Sequence, residues 1–531
     1  MGPLATLEEN VAALRTLREV GLMSPRVALP LARGARRWGP TPAAGYRAAA
    51  RRVPDGVAVI DEEGEVSFAE VDEQSSALAA ALAERGVGPD AGAAILCRND
   101  RWFVLVATAL QKTGATTLYL NTGFAGPQMA EVLEREGAAA VIFDEEFADL
   151  VDRAAPDVDR WIAHHEGKSD RETVADLVEE ASGRTPEPPD QPGRQVILTS
   201  GTTGTPKGAS RAAPKGLVTV TSLFQRVPWR VGDVHHVPAP MFHALGNGAY
   251  LLGSQLAHTF VLRRRFDPED TLRVIEEHGV TGMTVVPVML QRICGLPEET
   301  TRRYDVSSLR VVQCSGAALP GSLALEWMDR FGDNLYNLFA STEVAAATIA
   351  TPEDLRAAPG TAGLPAPGVT VRLYDDDDQP VREPGETGRI FVGSGLRFEG
   401  YTGGEEKASI DGLLSIGDVG HFDEDGRLFV GGRDDEMIVS GGENVYPREV
   451  EDLLADHPDV AEVAVVGVED EDYGQRLKAF VVAAEGASPD ESALKAHVKE
   501  NLANYKVPKA VEFLDELPRN QAGKILKNEL D

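Results

Sequence analysis

The segment from Thr199 to Gly208 has the composition of a loop that binds phosphate. Its sequence, TSGTTGTPKG, follows a predicted strand at Val196–Thr199 and contains three glycines, five hydroxyl side chains and one lysine. Glycines let the backbone approach a ligand closely, while hydroxyl and ammonium groups donate hydrogen bonds to phosphate oxygens. The loop is not of the Walker A type, because Gly208 and not Ser or Thr follows Lys207. The sequence therefore predicts a phosphate-binding loop of another type.

Five short polar motifs follow in the second half of the chain. Taken alone, a carboxylate or lysine in such a motif is usually a solvated surface residue, so only their order and spacing carry an argument. The motifs are NLFASTE at Asn337–Glu343, LSIGD at Leu414–Asp418, GRDD at Gly432–Asp435, SGGEN at Ser440–Asn444 and PRNQAGK at Pro518–Lys524.

Together with the glycine-rich loop, these motifs resemble those of the acyl-adenylate-forming (ANL) superfamily. That superfamily includes acyl-CoA synthetases, luciferases and peptide-synthetase adenylation domains. The motifs occur in the family's order, and the resemblance covers nearly the whole chain after the first 52 residues. Phe339 and Ala340 replace the usual Tyr and Gly, which puts the local backbone geometry in question. The chain is identified as similar to the fatty acyl-CoA synthetase (AMP-dependent synthetase/ligase) family.

The resemblance implies that a carboxylic acid is activated by ATP to acyl-AMP and is then transferred to a thiol, with release of AMP and pyrophosphate. ATP, Mg²⁺ and coenzyme A are the implied substrates and cofactors. Lys524 would bridge the acid and the α-phosphate, Glu343 would bind the metal, and the chain would turn at a hinge at Asp435. Asp418 and Arg433 would hold the ribose. The turn at Ser315–Ala318 would flank the adenine, on which Phe339 would stack. The implied catalytic residues are Lys524, Thr342, Glu343 and Lys207. The implied ATP- or AMP-binding residues are Thr199, Ser200, Gly201, Thr202, Thr203, Gly204, Lys207, Ser315, Gly316, Ala317, Asn337, Phe339, Ala340, Ser341, Thr342, Asp418, Arg433 and Lys524. Coenzyme A would contact Ser440, Gly441 and Gly442.

By family position, the acid-binding pocket involves Phe242, His243, Gly246 and Val286. Small residues near His243 leave room for an extended chain, and no charged residue there could pair with a second carboxylate. A medium- or long-chain fatty acid is therefore expected. Three alternatives stay open: an enzyme that loads a carrier protein, a ligase for aryl or other acids, and an inactive lipid- or nucleotide-binding paralogue. No carrier domain follows Lys524 in this sequence, so free coenzyme A is favoured as the acceptor.

Alternating strand and helix patterns predict the α/β class. Strands at Val57–Asp61 and Ala138–Phe143 and a helix at Ser67–Gly86 belong to βαβ units, which imply a doubly wound, largely parallel sheet. Short strands over residues 360–432 predict a small β-rich subdomain. The pattern from residue 435, which includes a helix at Pro447–Ala455, predicts a small α+β domain, and the family resemblance implies that this domain is mobile. The predicted organisation is a basic N-terminal arm (1–52), a large adenylate-forming domain (53–433) and a C-terminal domain (434–531) that carries Lys524.

Composition limits the classes of partner and the location. The chain has 531 residues, with 52 Lys and Arg against 84 Asp and Glu and a formal net charge of −32. So acidic a surface repels nucleic acid, which leaves small-molecule substrates as the expected partners. Three scattered cysteines form no disulfide or zinc pattern, and no signal peptide is evident, so a cytoplasmic location is expected, at the membrane periphery if the arm binds there. A homo-oligomer is a further expectation. Nine arginines against three glutamates in residues 1–52 leave two alternatives for the arm: contact with an anionic membrane surface, or the favoured packing against the acidic body.

Overall fold

The computed structural model describes residues 3–199, 207–211, 218, 221–341, 344–395, 398–401, 407–440, 443–470 and 474–530. The chain divides into two compact units. The first comprises Met1–Val285, Gly295–Gln313 and Gly395–Glu406, and the second comprises Val286–Cys294, Cys314–Ser394 and Lys407–Asp531. The second unit joins the C-terminal residues to part of the preceding region, so the expected boundary between residues 433 and 434 stays a prediction.

The helices and strands have the following bounds. The α-helices are α1 (Pro3–Val20), α2 (Pro25–Trp38), α3 (Pro42–Arg52), α4 (Phe68–Glu84), α5 (Arg101–Thr113), α6 (Gly126–Glu136), α7 (Ala148–Ala154), α8 (Val174–Glu180), α9 (Ala244–Gln255), α10 (Pro268–His278), α11 (Pro287–Cys294), α12 (Glu298–Thr301), α13 (Gly321–Phe331), α14 (Pro352–Ala357), α15 (Pro447–Ala455) and α16 (Glu491–Asn501). The strands are β1 (Val57–Asp61), β2 (Gly64–Ser67), β3 (Gly92–Leu96), β4 (Thr117–Tyr119), β5 (Ala138–Phe143), β6 (Asp159–Ile162), β7 (Gln195–Thr199), β8 (Lys207–Arg211), β9 (Val234–His236), β10 (Thr259–Val261), β11 (Gly282–Val285), β12 (Val311–Cys314), β13 (Leu335–Ser341), β14 (Ala345–Ala350), β15 (Leu364–Pro365), β16 (Thr370–Tyr374), β17 (Pro380–Val381), β18 (Gly388–Gly393), β19 (Phe398–Tyr401), β20 (Ser409–Ile410), β21 (Leu413–Phe422), β22 (Leu428–Arg433), β23 (Ile438–Ser440), β24 (Glu443–Val445), β25 (Val460–Asp470), β26 (Gly474–Ala483) and β27 (Ala510–Phe513). No described helix has both the length and the apolar composition that crossing a bilayer requires.

The first unit contains two sheets built mainly from parallel strands. One has the order β19-β8-β7-β4-β3-β5-β6. Strands β7, β4, β3, β5 and β6 run parallel to one another, and β8 is antiparallel to both of its neighbours, β7 and β19. The other joins β11, β9, β10 and β1 in parallel, with β2 antiparallel at its edge. Side chains of β3 alternate between two hydrophobic cores, with Ala93 and Ile95 in one and Ala94 and Leu96 in the other. Helices therefore cover both faces of this sheet, as in the predicted doubly wound class.

Helix α4 shows how local sequence sets these elements. Ser67 caps its first turn, accepting a hydrogen bond from the Glu70 N–H, and the Glu70 carboxylate accepts one from the Ser67 N–H. This capping box satisfies backbone groups that a helix start leaves unpaired. Within the same core, Lys112 of α5 is buried and donates to Asp72, Ser75 and Ser76 of α4. Burial lowers the pKa of Lys112 to about 8, although Asp72 opposes the shift. This network therefore fixes how α4 packs on α5.

Residues 25–52 of the expected basic arm form two helices, α2 and α3, joined by a short turn. Prolines at the starts of α2 and α3 occupy first-turn positions, where their missing N–H would have no helical partner. Trp38 and Tyr46 are buried, and Arg47 pairs with Asp72 at 2.5 Å. The aromatic side chains of this segment thus bury apolar surface in the first unit, while the expected extent of the arm stays a prediction.

The second unit consists of a β-rich part and a C-terminal α+β part. Its main antiparallel sheet has the order β17-β16-β18-β21-β20, with β22 paired to β21. The C-terminal sheet has the order β24-β23-β26-β25, with β27 parallel to β26. Helices α15 and α16 pack their apolar residues on this second sheet around Val450 and Leu494. The mixed α/β architecture confirms the predicted fold class.

Candidate active site

A β-hairpin holds both ends of the predicted phosphate-binding loop. Strand β7 pairs with β8 in antiparallel register, and Thr199 lies opposite Lys207. The loop residues Ser200, Gly201, Thr202, Thr203 and Gly204 lie outside the described residues. The backbone positions of Thr199 and Lys207 thus place the two ends of this loop beside each other, on two neighbouring strands of the first sheet.

Two residues predicted to bind the nucleotide sugar lie opposite each other on neighbouring strands. Asp418 on β21 is the register partner of Arg433 on β22, and Arg433 Nη1 lies 3.8 Å from Asp418 Oδ1. The same nitrogen donates to the Ile416 carbonyl at 3.1 Å, which fixes the guanidinium beside the strand. Gly417 has φ +76°, and a Cβ there would lie 2.9 Å from Arg433 Nη2. The left-handed backbone therefore favours glycine at this position, and a side chain there would displace the guanidinium.

Asp418 is a partly buried carboxylate among several cations. Burial raises its pKa to about 6, against the attraction of Arg433, Lys407, Lys524 and Arg448. The group is therefore mostly ionised at neutral pH, and an ionised carboxylate accepts hydrogen bonds without donating any. This state suits binding to the two hydroxyl groups of a ribose.

The loop that carries Lys524 is closed by its own side chains. Asn520 Oδ1 accepts hydrogen bonds from the N–H groups of Ala522 and Lys524, at 3.0 and 2.9 Å. Arg519 donates to the Gly523 carbonyl at 2.8 Å and to Glu462 Oε2 at 2.9 Å. The Lys524 backbone is consequently tied, through Arg519, to strand β25.

Three predicted parts of the site meet around Val286 within the second unit. A Cβ on Gly316 would lie 3.2 Å from Val286 Cγ1, and a Cβ on Gly523 would lie 3.1 Å from Val286 Cγ2 and 2.9 Å from Val288 Cγ1. Gly316 and Gly523 have φ values of +92° and +81°. The structure thus places the turn expected beside adenine, one predicted wall of the acid pocket and the residue before Lys524 in contact.

The predicted adenine-binding residues lie along β13 and the turn after β12. The Ser315 hydroxyl donates to the Leu338 carbonyl at 2.7 Å, and Asn337 Nδ2 donates to the Thr361 carbonyl at 3.1 Å. Phe339 packs against the core of the β-rich sheet, whereas Ala340 is exposed, at an irregularity in the β13–β14 pairing. The remaining predicted members of this group are Gly316, Ala317 and Ser341, all within the described residues, and Thr342, which is outside them.

The predicted acid pocket has three members in the first unit, at the start of α9. Phe242 is buried and His243 is the N-cap residue of the helix. Gly246 was expected to leave space for substrate, but a Cβ there would lie 2.3 Å from the Pro240 carbonyl oxygen. That expectation is corrected, because glycine permits a close approach of two backbone segments at this position.

Sequence reasoning missed Asn99, which holds the segment leading into this pocket. The side chain is buried, and Nδ2 donates to the carbonyls of Val237 and Ala239, both at 2.9 Å. Its Oδ1 accepts from the Met241 N–H at 2.8 Å. Three backbone groups directly before Phe242 thus depend on one side chain. Nothing local in the sequence marks this role, since the partners are 138 to 142 residues away.

The paired histidines His235 and His236 lie in the core of the first unit. His235 lies 3.2 Å from His258 and 2.9 Å from the Thr284 hydroxyl, while His236 contacts the Val261 carbonyl at 2.8 Å. Burial lowers the pKa values of His236 and His258 to about 4. Burial also holds the pKa of His235 well below its usual range, so all three imidazoles are neutral at physiological pH and belong to the packed sheet.

The predicted hinge lies in a short 3₁₀ helix, Asp434–Glu436. Directly after Asp435, Glu436 pairs with Lys527 at 3.0 Å, and Lys527 also pairs with Glu451 at 2.9 Å. Burial alone would lower the pKa of Lys527, but Glu451 and Glu436 outweigh it and raise that pKa. Ser440, expected at the coenzyme A site, is buried in β23. Gly441 and Gly442 lie outside the described residues.

The predicted metal ligand, Glu343, also lies outside the described residues. In the part of the chain that is described, no group of three or more His, Cys, Asp or Glu side chains could hold a metal ion.

Comparison with protein families gives two matches. Residues 46–402 match the family described as AMP-binding enzyme. Residues 449–524 match the family described as AMP-binding enzyme C-terminal domain.

Known relatives match over almost their whole lengths. The chain is 35% identical over 491 residues to a feruloyl-CoA synthase of Amycolatopsis sp, covering 91% of this chain and 96% of the relative. It is 30% identical over 505 residues to the fatty acid–[acyl-carrier-protein] ligase ScoC of Streptomyces coeruleorubidus, covering 91% and 94%. The solved structure of o-succinylbenzoate CoA synthetase (MenE) from Bacillus subtilis, in complex with its acyl-adenylate intermediate, is 29% identical, with a TM-score of 0.78 and coverage of 92% and 97%. The chain therefore belongs to the AMP-binding enzyme family, within the acyl-adenylate-forming superfamily that its motifs indicate.

Proposed function

We propose that this protein is an AMP-forming acid:coenzyme A ligase. The observation that best supports the proposal is the pairing of Asp418 with Arg433 in the same compact unit as Lys524, whose charge acts on Asp418. A ribose held by Asp418 would place the α-phosphate of ATP within reach of a nearby cation. Family membership supports the same chemistry.

The proposed reaction has two displacement steps. A carboxylate oxygen of the acid attacks the α-phosphorus, the bond to the β-phosphate oxygen breaks, and pyrophosphate leaves. The thiolate of coenzyme A then attacks the acyl carbon, and AMP leaves with its phosphate oxygen. Lys524 stabilises the negative charge that develops in the first step, where a preorganised cation contributes most. Thr202, Thr203 and Lys207 are assigned to the β- and γ-phosphates. Mg²⁺, assigned to Glu343, would neutralise phosphate charge when bound.

We assign a ring-bearing acid as the first substrate candidate. A feruloyl-CoA synthase and an o-succinylbenzoate CoA synthetase are among the relatives, and both names denote aromatic acids. Gly246 supports this choice only indirectly, since its missing side chain accommodates backbone and supplies no space for a long chain. A medium- or long-chain fatty acid is the second candidate, favoured by the similarity to ScoC.

The two steps also require two arrangements of the C-terminal region. We propose that the chain turns at Asp435 between them, so that Lys524 serves adenylation and Gly441 and Gly442 serve thioester formation. Asp435→Pro would restrict the backbone at this point. It should spare acyl-AMP formation and impair transfer to coenzyme A.

The decisive experiment measures AMP release from ATP with a panel of acids, each with and without coenzyme A. The panel includes benzoate, cinnamate, ferulate and saturated acids of two to eighteen carbons, and Lys524→Ala is the negative control. Turnover that needs coenzyme A and peaks with an aryl acid would support the full proposal. A peak at one fatty-acid length would replace the first substrate candidate by the second. Adenylate that accumulates without stimulation by coenzyme A would refute free coenzyme A as the acceptor.

A further inference from the structure

Large apolar side chains are exposed mainly near the N-terminus. Among the described residues, seven large apolar side chains are exposed: Val11, Leu14, Met23, Leu29, Val53, Tyr505 and Phe513. Four of the seven fall between Val11 and Leu29, in α1, α2 and the turn that joins them. Their exposed fractions are between 46% and 56%. Such a concentration of apolar side chains at the surface indicates a site of contact.

On α1, the exposed apolar residues share one face with arginines. Val11, Leu14, Arg15 and Arg18 are all exposed. Their spacing of three, four and seven residues from Val11 places them on one side of the helix. The residues between them that point elsewhere, Ala13 and Thr16, are buried. The outer face of α1 is therefore both apolar and basic.

Helix α2 repeats this arrangement. Arg26, Leu29, Arg33 and Arg36 are exposed, at spacings of three, seven and ten residues from Arg26. The opposite side, which includes the buried Trp38, packs into the first unit. A short turn with an exposed Met23 connects the two helices.

The charge of these two faces is unusual for this protein. Five exposed arginines, Arg15, Arg18, Arg26, Arg33 and Arg36, form no ion pair with any described residue. Between residues 9 and 38, Glu19 is the one exposed acidic side chain. The whole chain nevertheless carries a net charge of −32. A negatively charged surface would therefore attract the molecule through these helices and repel it elsewhere.

We propose that the outer faces of α1 and α2 form a docking surface for an anionic lipid bilayer. Arginine and leucine on one helix face suit the boundary between lipid headgroups and acyl chains, since the stem of each arginine can lie along the apolar region while its guanidinium meets phosphate. Each arginine near such a surface raises the partition coefficient about fivefold. Neither helix needs to cross the bilayer.

A second copy of this chain matches the surface less well. A protein partner would need acidic and apolar side chains together to cover α1 and α2. Outside the first 53 residues, the exposed large apolar side chains of the described chain are Tyr505 and Phe513. Lipid provides both features continuously, whereas the acidic surface of another copy provides mainly charge.

The test is co-sedimentation of the full-length protein with vesicles. Vesicles of phosphatidylcholine alone are compared with vesicles that contain about 30% phosphatidylglycerol, at low salt and at about 1 M NaCl, where the screening length falls to about 3 Å. The first variant combines Arg26→Gln, Arg33→Gln and Arg36→Gln. Its matched control removes three exposed arginines elsewhere, by Arg265→Gln, Arg302→Gln and Arg382→Gln. A second variant combines Leu14→Ser and Leu29→Ser. Its matched control combines Val53→Ser and Phe513→Ser.

We expect wild-type protein to bind the anionic vesicles and to be released by salt. The first triple variant should bind roughly 10²-fold more weakly, at about fivefold per arginine, while its control binds normally. The Leu14 and Leu29 variant should bind about tenfold more weakly than its own control. The salt titration of the wild type tests the proposal even if a variant unfolds. Absence of binding, equal binding to neutral vesicles, or equal loss in variant and control would each overturn it. A dimer that the arginine variant dissociates, without any vesicle binding, would identify a self-association surface instead.

Discussion

The carboxylate of Asp418 should cost stability while it serves ligand binding. Burial raises its pKa to about 6 from an ordinary value of 3.8, and each unit of pKa corresponds to about 1.4 kcal/mol. The ionised group therefore destabilises the folded protein by about 3 kcal/mol above pH 6. Asp418→Asn keeps the shape of the side chain and removes its charge. We expect this variant to be more stable than the wild type, by roughly 1–3 kcal/mol at pH 7.5.

The sign of the pH dependence follows from the direction of this shift. Between pH 3.8 and 6 the folded wild type retains a proton on Asp418 that the unfolded chain releases. Wild-type stability therefore falls as pH rises through this range because of this group. The stability advantage of Asp418→Asn should be absent near pH 4, grow up to pH 6 and stay constant above it.

Thermal unfolding between pH 4 and 8 measures this difference, and initial rates at varied ATP concentration measure the cost in function. Loss of two charge-assisted hydrogen bonds to the ribose should raise the KM for ATP by roughly 10–100-fold. Asp425→Asn is the matched control, because Asp425 is exposed in the turn between β21 and β22 and lies opposite no predicted site residue. A variant that unfolds at or below the wild-type temperature, or that keeps the wild-type KM for ATP, would refute this account of Asp418.

Three further predictions concern the catalytic loop, the acid pocket and the buried histidines. Lys524→Ala should slow acyl-AMP formation by roughly 10²–10³-fold and largely spare thioester formation from supplied acyl-AMP, as single-turnover assays can measure; equal losses in both steps would contradict its role. Asn99→Ala removes three buried hydrogen bonds, so it should lower the free energy of unfolding by about 2–4 kcal/mol and raise the KM for the acid more than that for ATP; parallel changes in the two KM values would argue against a positioning role. Because burial lowers the pKa values of His236 and His258 to about 4, the unfolded chain binds protons first, and stability should fall as pH drops from 6.5 towards 4. Each histidine should contribute on the order of 3 kcal/mol to this loss, and His236→Gln should flatten the slope of the unfolding temperature against pH.

Elements with a strong local signal were predictable from the sequence. Strands Val57–Asp61 and Ala138–Phe143 and helix Pro447–Ala455 have the bounds that their patterns predict. In each case the apolar periodicity, or a proline at the first helical position, fixes the element without help from distant residues. The helix after Ser67 was predictable for the same reason, because its capping box is local.

Features that depend on distant partners were not predictable. The helices of residues 25–52 looked like an arm, because Pro and Arg dominate there, and burial of Trp38 and Tyr46 needs surfaces from later in the chain. The role of Asn99 was not predictable for the same reason, since its hydrogen-bond partners belong to the 237–241 segment. The motif at Gly417 and Asp418 gave the identity of the ribose-binding candidate. The reason for its glycine emerged only once Arg433 was placed beside it.

The ion pairs of Lys527 bear on the mechanics of the proposed turn at Asp435. Because Lys527 pairs with both Glu436 and Glu451, the first residue after the hinge is linked to helix α15 and to a 3₁₀ helix at Lys527–Glu529. Rotation of the C-terminal region would then be confined to the few backbone torsions from Arg433 to Asp435. Its hydrophobic core would stay intact. Residues after Lys524 would thus help to fix the position of the hinge. Truncation before Lys527 should loosen the hinge although it leaves every predicted substrate contact in place.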